Sequence, residues 1–270
     1  MYDQIFREHG IGGFLTPQSY EMAWTQYMQM LADKLNELTA GTEYYNMKVK
    51  DISLRFARDP QSASLFNYAS MSFNNHFFFK NLSSSPKALE TQPNLKEQLE
   101  MNFGSIDTLR TTFLDTAAAM FGPGFVWLVY ARDVQDPYRS TGRGSLRILT
   151  TYLAGSPHPE AGYRQQGIDM ATSDASSADA YMSSQPANSV GMFGAHSAGG
   201  REQAKIPPGG THILPLLCVN TWQHVYLRDY GVTGKRQFLT DWWDAVDWHS
   251  VNSLCPPEMR VPKFRHERGY

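Results

Sequence analysis

Apolar residues recur along the chain first at helical spacing and then at strand spacing. From Ser19 they fall at Trp24, Tyr27, Met28, Leu31, Leu35 and Leu38, the i, i+3, i+4, i+7 pattern of a helix with one buried face. Gly41 in "TAGT" predicts its stop. A second helical stretch, rich in Phe and Asn, is predicted over about 62–82, through "SLFNYASMSFNNHFFFKNL", and a third over 104–122, capped by Ser105 and closed by Gly122. Residues 1–18 read as a lead-in broken by "GIGG" and Pro17. The period then changes. "GFVWLVYAR" (124–132), "GSLRILTTYL" (144–153) and "THILPLLCV" (211–219) are β-branched, apolar runs of strand length. Helical spacing returns over 236–251, where Phe238, Leu239, Trp242, Trp243 and Val246 share a face. Helices, then a small antiparallel sheet, then helices predict an α then α+β fold, with a helical hairpin over 1–90 and an α/β unit over 91–270.

One stretch fits neither period. Residues 156–210 are rich in Ser, Ala, Gly and Pro and hold almost no aliphatic side chains, which predicts a surface insertion without a core of its own. Such a segment is expected to order against a neighbour.

Composition narrows the function. With 41% hydrophobic and 19% charged residues and a net charge of −2, the 270-residue chain is ordinary for a globular domain and offers no general basic surface to nucleic acid. The end of the chain departs from this, with Arg260, Lys263, Arg265 and Arg268 in "RVPKFRHERGY", a solvated tail or a contact for an acidic partner. Two cysteines, Cys218 and Cys255, make neither a disulfide framework nor a zinc site. No run reaches the length of a membrane span. No cleavable leader is visible, and a leader removed before residue 1 stays open. Phosphate-loop, G-x-S-x-G and H-E-x-x-H patterns are missing, and the eight histidines show no ligand spacing.

Five stretches, in order, resemble the iron/manganese superoxide dismutase family: "SYEMAWTQYMQMLADKLN" (19–36), "ASMSFNNHFFFKNL" (69–82), "FGPGFVWLVYAR" (121–132), "LPLLCVNTWQHVYLRDYG" (214–231) and "FLTDWWDAVDW" (238–248). The resemblance implies an N-terminal helical hairpin and a C-terminal domain with a three-stranded antiparallel sheet. It also implies a metal held by three His and one Asp. Those ligands carry over to Ala23, Asn75, Asn220 and His224, so only His224 survives as a ligand type. His76 stands next to Asn75, but one helical position turns a side chain by about 100° away. Alanine has no donor atom, and a neutral amide lacks the charge that balances a trivalent metal. The family's active-site tyrosine maps to Leu31 and its glutamine to about Ala154, so the groups around the metal are lost as well. No cofactor is expected. Trp24, Phe78, Trp127 and Trp222 are large enough to refill the vacated space.

Among such proteins the chain is most similar to the dismutase-like proteins of the fungal mitochondrial ribosome's small subunit. That resemblance implies a structural constituent, not an enzyme, in the mitochondrial matrix, with small-subunit proteins as neighbours and limited contact with rRNA. It further implies pairing with a paralogue of the same fold across the surface of Trp222, Gln223, His224 and Tyr226, where the family's Glu and His meet their counterparts. Two other readings stay open: a divergent metalloenzyme using His224, His76 and a further ligand, and a free-standing interaction protein.

Overall fold

The computed structural model describes residues 3–57, 59–133, 144–162 and 211–260. Helix α1 (Asp3–His9) comes first. The next helix runs in three sections, α2 (Pro17–Tyr20), a π-helical section (Glu21–Gln26) and α3 (Tyr27–Thr39). Thr16 caps it by accepting from the backbone N–H of Ser19, and Pro17 sits where a missing N–H costs nothing. Helices α4 (Val49–Phe56) and α5 (Ala63–Lys80) follow, then α6 (Pro93–Phe103) and α7 (Ile106–Ala119). Strands β1 (Gly124–Asp133) and β2 (Ser145–Tyr152), the short α8 (Pro159–Gly162) and β3 (Thr211–Asn220) come next. Helices α9 (Gln223–Tyr230), α10 (Lys235–Asp244), α11 (Trp248–Leu254) and α12 (Pro257–Arg260) complete the described chain.

The sheet has the order β2-β1-β3, with both pairings antiparallel. Residues 125–131 of the central strand are all buried, which is why β1 reads as an unbroken apolar run. Gly124 begins it because a Cβ there would lie 2.2 Å from the Thr151 carbonyl oxygen. Strand β3 tolerates Pro215 because it is an edge, and its register slips beside that proline, leaving Leu216 opposite no residue of β1. The freed Leu216 carbonyl accepts instead from the Asn81 side-chain amide at 3.1 Å. One side chain thus ties the end of α5 to the bulge of β3.

Helix α5 is buried nearly all round. Phe77, Phe78 and Phe79 join the main core, while Ala69 packs with Leu35 and Ile52 of α3 and α4. Residues from Phe6 to Met259 share that main core, so the first helices and the sheet are packed as one body.

The sequence pattern missed α1, α4 and α6, and it assigned no element to 223–230, where the chain is helical. It also merged α10 and α11. The break comes at Ala245–Asp247, where the Asp247 carboxylate caps α11 by accepting from Ser250 and also takes the backbone N–H of Lys87. The start of the stretch read as an insertion is buried: Ser156, His158 and Ala161 lie in the body, Ala161 against Ala57 and Phe66. The remainder, 163–210, and the basic tail at 261–270 lie outside the described residues.

Asn81→Ala strips the bulge carbonyl of its buried donor. It is expected to lower unfolding free energy by about 1–3 kcal/mol in urea denaturation. Asn81→Gln, which keeps an amide, should recover part of that loss.

Candidate functional site

The site predicted from sequence is assembled by three elements. The π section brings Ala23, α5 brings Asn75, and the end of β3 brings Asn220. All three residues are fully buried. His224 follows one turn later on α9. Turns of π-helix inside α-helices concentrate at functional positions, and here one spans Ala23, which carries no functional atom.

The amides are joined in a chain. The backbone N–H of Trp222 donates to Asn220 Oδ1 at 2.9 Å. Asn220 Nδ2 donates to Asn75 Oδ1 at 3.1 Å, and Asn75 Nδ2 donates to the Ala23 carbonyl at 3.1 Å. Each amide therefore accepts once and donates once, and the run closes on backbone at both ends. Neutral groups so paired carry little of the desolvation cost that an ionised carboxylate would bring to a fully buried place.

His224 does not join the chain. Its ring stacks on Tyr27, with centroids 4.1 Å apart and planes 29° from parallel, and lies 5.8 Å from the ring of Trp222. Its Nε2 is buried without a hydrogen-bond partner among the described residues, as is Nε1 of Trp222. Burial pushes the His224 imidazole down to about 4, so the ring is neutral at physiological pH. Burial likewise raises the Tyr27 hydroxyl to about 12.

This donor set does not fit a redox metal. It consists of a methyl group, two amides already engaged with each other, and one imidazole. His76 is exposed on the outer face of α5, its ring 5.9 Å from that of Trp24, so it does not replace Asn75. Leu31 and Ala154, the positions to which the resemblance carries the family's tyrosine and, approximately, its glutamine, are buried. Among the described residues no group of three His, Cys, Asp or Glu side chains comes together.

The aromatic residues surround this centre unevenly. Phe78 and Trp127 are fully buried, and Trp127 Nε1 donates to Thr151 Oγ1 at 2.9 Å. Trp24 is half-buried and donates through Nε1 to Asp3 at 3.0 Å, which fixes α1 against the π section. The ligand positions themselves are bridged by amides rather than covered by these rings. Sequence reasoning read Asn75 and Asn220 as losses. Their mutual spacing in the fold, with complementary donors and acceptors, was not visible along the chain. On the surface of α9, Gln223 is exposed and Trp222 and His224 are half-buried. Tyr226 is only 7% exposed, its ring 5.2 Å from that of Phe238 in its own core. Little of Tyr226 is left for a partner to cover.

Two outcomes follow from this centre. Asn220→Asp restores the acidic residue but puts an uncompensated charge against Asn75 Oδ1. It is expected to destabilise by roughly 2–4 kcal/mol at neutral pH in urea denaturation. The second concerns protons. His224 has a folded pKa of about 4 against the usual 6.5, so above pH 6.5 it is neutral in both states. Between pH 6.5 and 4 the unfolded chain binds a proton that the folded chain refuses, and stability falls, by at most about 3 kcal/mol from this residue. His158, also pushed by burial to about 4, adds to the slope in the same window. His224→Phe keeps the stack on Tyr27 and should make the loss between pH 6.5 and 4 shallower than in the wild type.

Comparison with known proteins matches the geometry. The family described as "Iron/manganese superoxide dismutases, C-terminal domain" matches residues 91–162 and 187–254. Small ribosomal subunit protein mS42 of Schizosaccharomyces pombe is 30% identical over 207 residues, 75% of this chain and 71% of that protein. Small ribosomal subunit protein mS43 of the same organism is 28% identical over 243 residues, 87% of this chain and 77% of that protein. An iron superoxide dismutase of Helicobacter pylori is 31% identical over 247 residues, covering 92% of this chain and 84% of the enzyme. The helical first half, the β2-β1-β3 sheet and these matches have one reading: the chain belongs to the iron/manganese superoxide dismutase family.

Proposed function

We propose that this chain is a structural constituent of the mitochondrial small ribosomal subunit, a dismutase fold that has exchanged its metal centre for a hydrogen-bonded one and serves as a protein module rather than an enzyme. The observation that carries the reading is the run from Trp222 N–H through Asn220 and Asn75 to the Ala23 carbonyl. It occupies three of the four ligand positions with groups that satisfy one another. Similarity to two differently named small-subunit proteins of one organism supports the ribosomal assignment, and residue resemblance to the fungal mitochondrial branch supports the compartment.

In this reading the chain pairs with a paralogue of the same fold through the surface of Trp222, Gln223 and His224, with Tyr226 supporting it from beneath. An amide at position 223 suits such a contact. It donates or accepts towards an imidazole and brings no unpaired charge into a buried interface. Other small-subunit proteins are the remaining neighbours. A net charge of −2 favours protein contacts over extensive wrapping of rRNA.

Sedimentation tests the assignment. Endogenous, tagged protein is expected to co-migrate with mitochondrial small subunits through a high-salt sucrose gradient, and to leave that fraction when subunits are dissociated into their components. Migration as a free protein under conditions that keep subunits intact would contradict the reading.

A further inference from the structure

We infer that the outer edge of β2 takes up an extended segment of a neighbouring protein as a fourth strand of the sheet. The hydrogen-bonding pattern of the edge stands by itself. Only the source of the segment, a protein of the small subunit, rests on the reading above.

The sheet order leaves β2 and β3 as its two edges. Natural edges are blunted, because rows of unpaired N–H and C=O groups invite another strand. Strand β3 is blunted by Pro215, by its bulge and by Asn81, which binds the Leu216 carbonyl. Strand β2, "SLRILTTY", has no such device. It holds neither proline nor lysine, and its eight residues pair with β1 without a shift of register. Its Ile, Thr and Tyr residues favour extended backbone. Thr150 and Tyr152 are exposed, and Ile148 is half-buried.

Three contacts fix which backbone groups point outward. The Leu146 N–H donates to Asn102 Oδ1 at 3.0 Å, so it is turned away from β1 and towards α6. Directions alternate along a strand, so Ile148, Thr150 and Tyr152 are turned outward with it, while Arg147, Leu149 and Thr151 face β1. The far end agrees. Gly124, opposite Tyr152, gives its carbonyl to the Thr221 N–H on the other side of β1, and the Tyr152 carbonyl accepts from the Gly155 N–H at 2.9 Å. The outward row is therefore closed at one end by Asn102 and at the other by Gly155. Between these closures lie the carbonyls of Leu146, Ile148 and Thr150 and the N–H groups of Ile148, Thr150 and Tyr152. None of these groups has a partner among the described residues.

That row identifies its occupant. Donors and acceptors recur at two-residue spacing over about 20 Å. An extended polypeptide of about seven residues answers all of them. A phosphate backbone supplies acceptors alone and leaves the carbonyls unanswered. Ile148, Thr150 and Tyr152 share one face of β2, so the added strand is uncharged, with aliphatic or β-branched side chains at the positions that lie beside them. A second copy of β2 would meet the same backbone pattern across a two-fold axis. A small subunit has no such axis, so the strand comes from a different chain.

Hydrogen exchange, resolved by residue, tests this in the free chain and in intact small subunits. The amides of Ile148, Thr150 and Tyr152 are expected to exchange quickly in the free chain and at least about a hundredfold more slowly in the subunit, with those of Arg147, Leu149 and Thr151 protected in both. A photo-crosslinking residue in place of Thr150 is expected to label one neighbouring protein within a single short segment. Thr150→Pro removes an outward N–H and no bond to β1, so circular dichroism and Tm should stay near the wild type. Its share of the small-subunit fraction should fall at least about fivefold, the scale of one lost hydrogen bond, while Thr150→Val enters subunits normally. Exchange in the unaltered chain decides the matter even where the proline variant fails to fold. Outward amides that exchange as fast in the subunit as in the free chain overturn the inference and leave the ribosomal reading standing. Amides already slow in the free chain overturn it too, because the chain then covers its own edge. Crosslinks to rRNA or to a second copy refute the choice of occupant. A chain absent from small subunits removes the ribosomal reading, and with it the occupant named here.

Discussion

The hydrogen bond from Asn220 to Asn75 is the contact on which the rest of this centre depends. A dismutase fold brings the end of a strand and two helices to one buried point, and in the family a metal ion cross-links them there. In this chain the cross-link is made by two amides and two backbone groups. Asn220 ties β3 to α5, Asn75 ties α5 to the π section, and the N–H of Trp222 ties the start of α9 to β3. The substitution works because it is complete. A single amide among ionisable ligands would leave an unpaired charge, whereas two amides and an alanine leave a neutral run with each member satisfied. His224 is the exception. It has no partner in the run, and it is held by stacking on Tyr27 as a neutral ring.

The surrounding structure keeps the geometry of the family's fold. The central strand stays buried on both faces, the bulge at Pro215 is secured by Asn81, α10 packs on α7 and α11 on β3, and Trp242, Trp243 and Trp248 lie in the core. Stability rests on these contacts, so the centre is free to lose its donors as long as its polar groups remain paired. The π section persists at Ala23, a distortion with no ligand left to present.

Much of this was legible in the sequence, and the failures have physical causes. The helix around Trp24 was found by its apolar period, the one around Phe78 by its run of Phe and Asn, the one around Phe113 by the Ser105 cap, and the strands by their β-branched apolar runs. Helices α4 and α6 escaped because they bury only a few side chains each, Ile52 and Ser53 in one, Leu95 and Leu99 in the other. Helix α9 escaped because its residues were read for metal ligands rather than for period. The break between α10 and α11 depends on Asp247 reaching Lys87, a contact 160 residues away that no local pattern carries. At the site, the missing donors at Ala23, Asn75 and Asn220 were plain from identity alone. That the two asparagines answer each other, and that Tyr226 is spent in its own core, required the fold.

The central claim is that the metal centre has been replaced rather than altered. Metal analysis of the native protein, purified from cells grown with ample iron and manganese, tests it most directly. The account predicts that both metals stay far below stoichiometric, and that neither metal raises Tm when added to the purified chain. One iron or manganese per chain, retained through dialysis against a chelator and accompanied by superoxide dismutation, would contradict it.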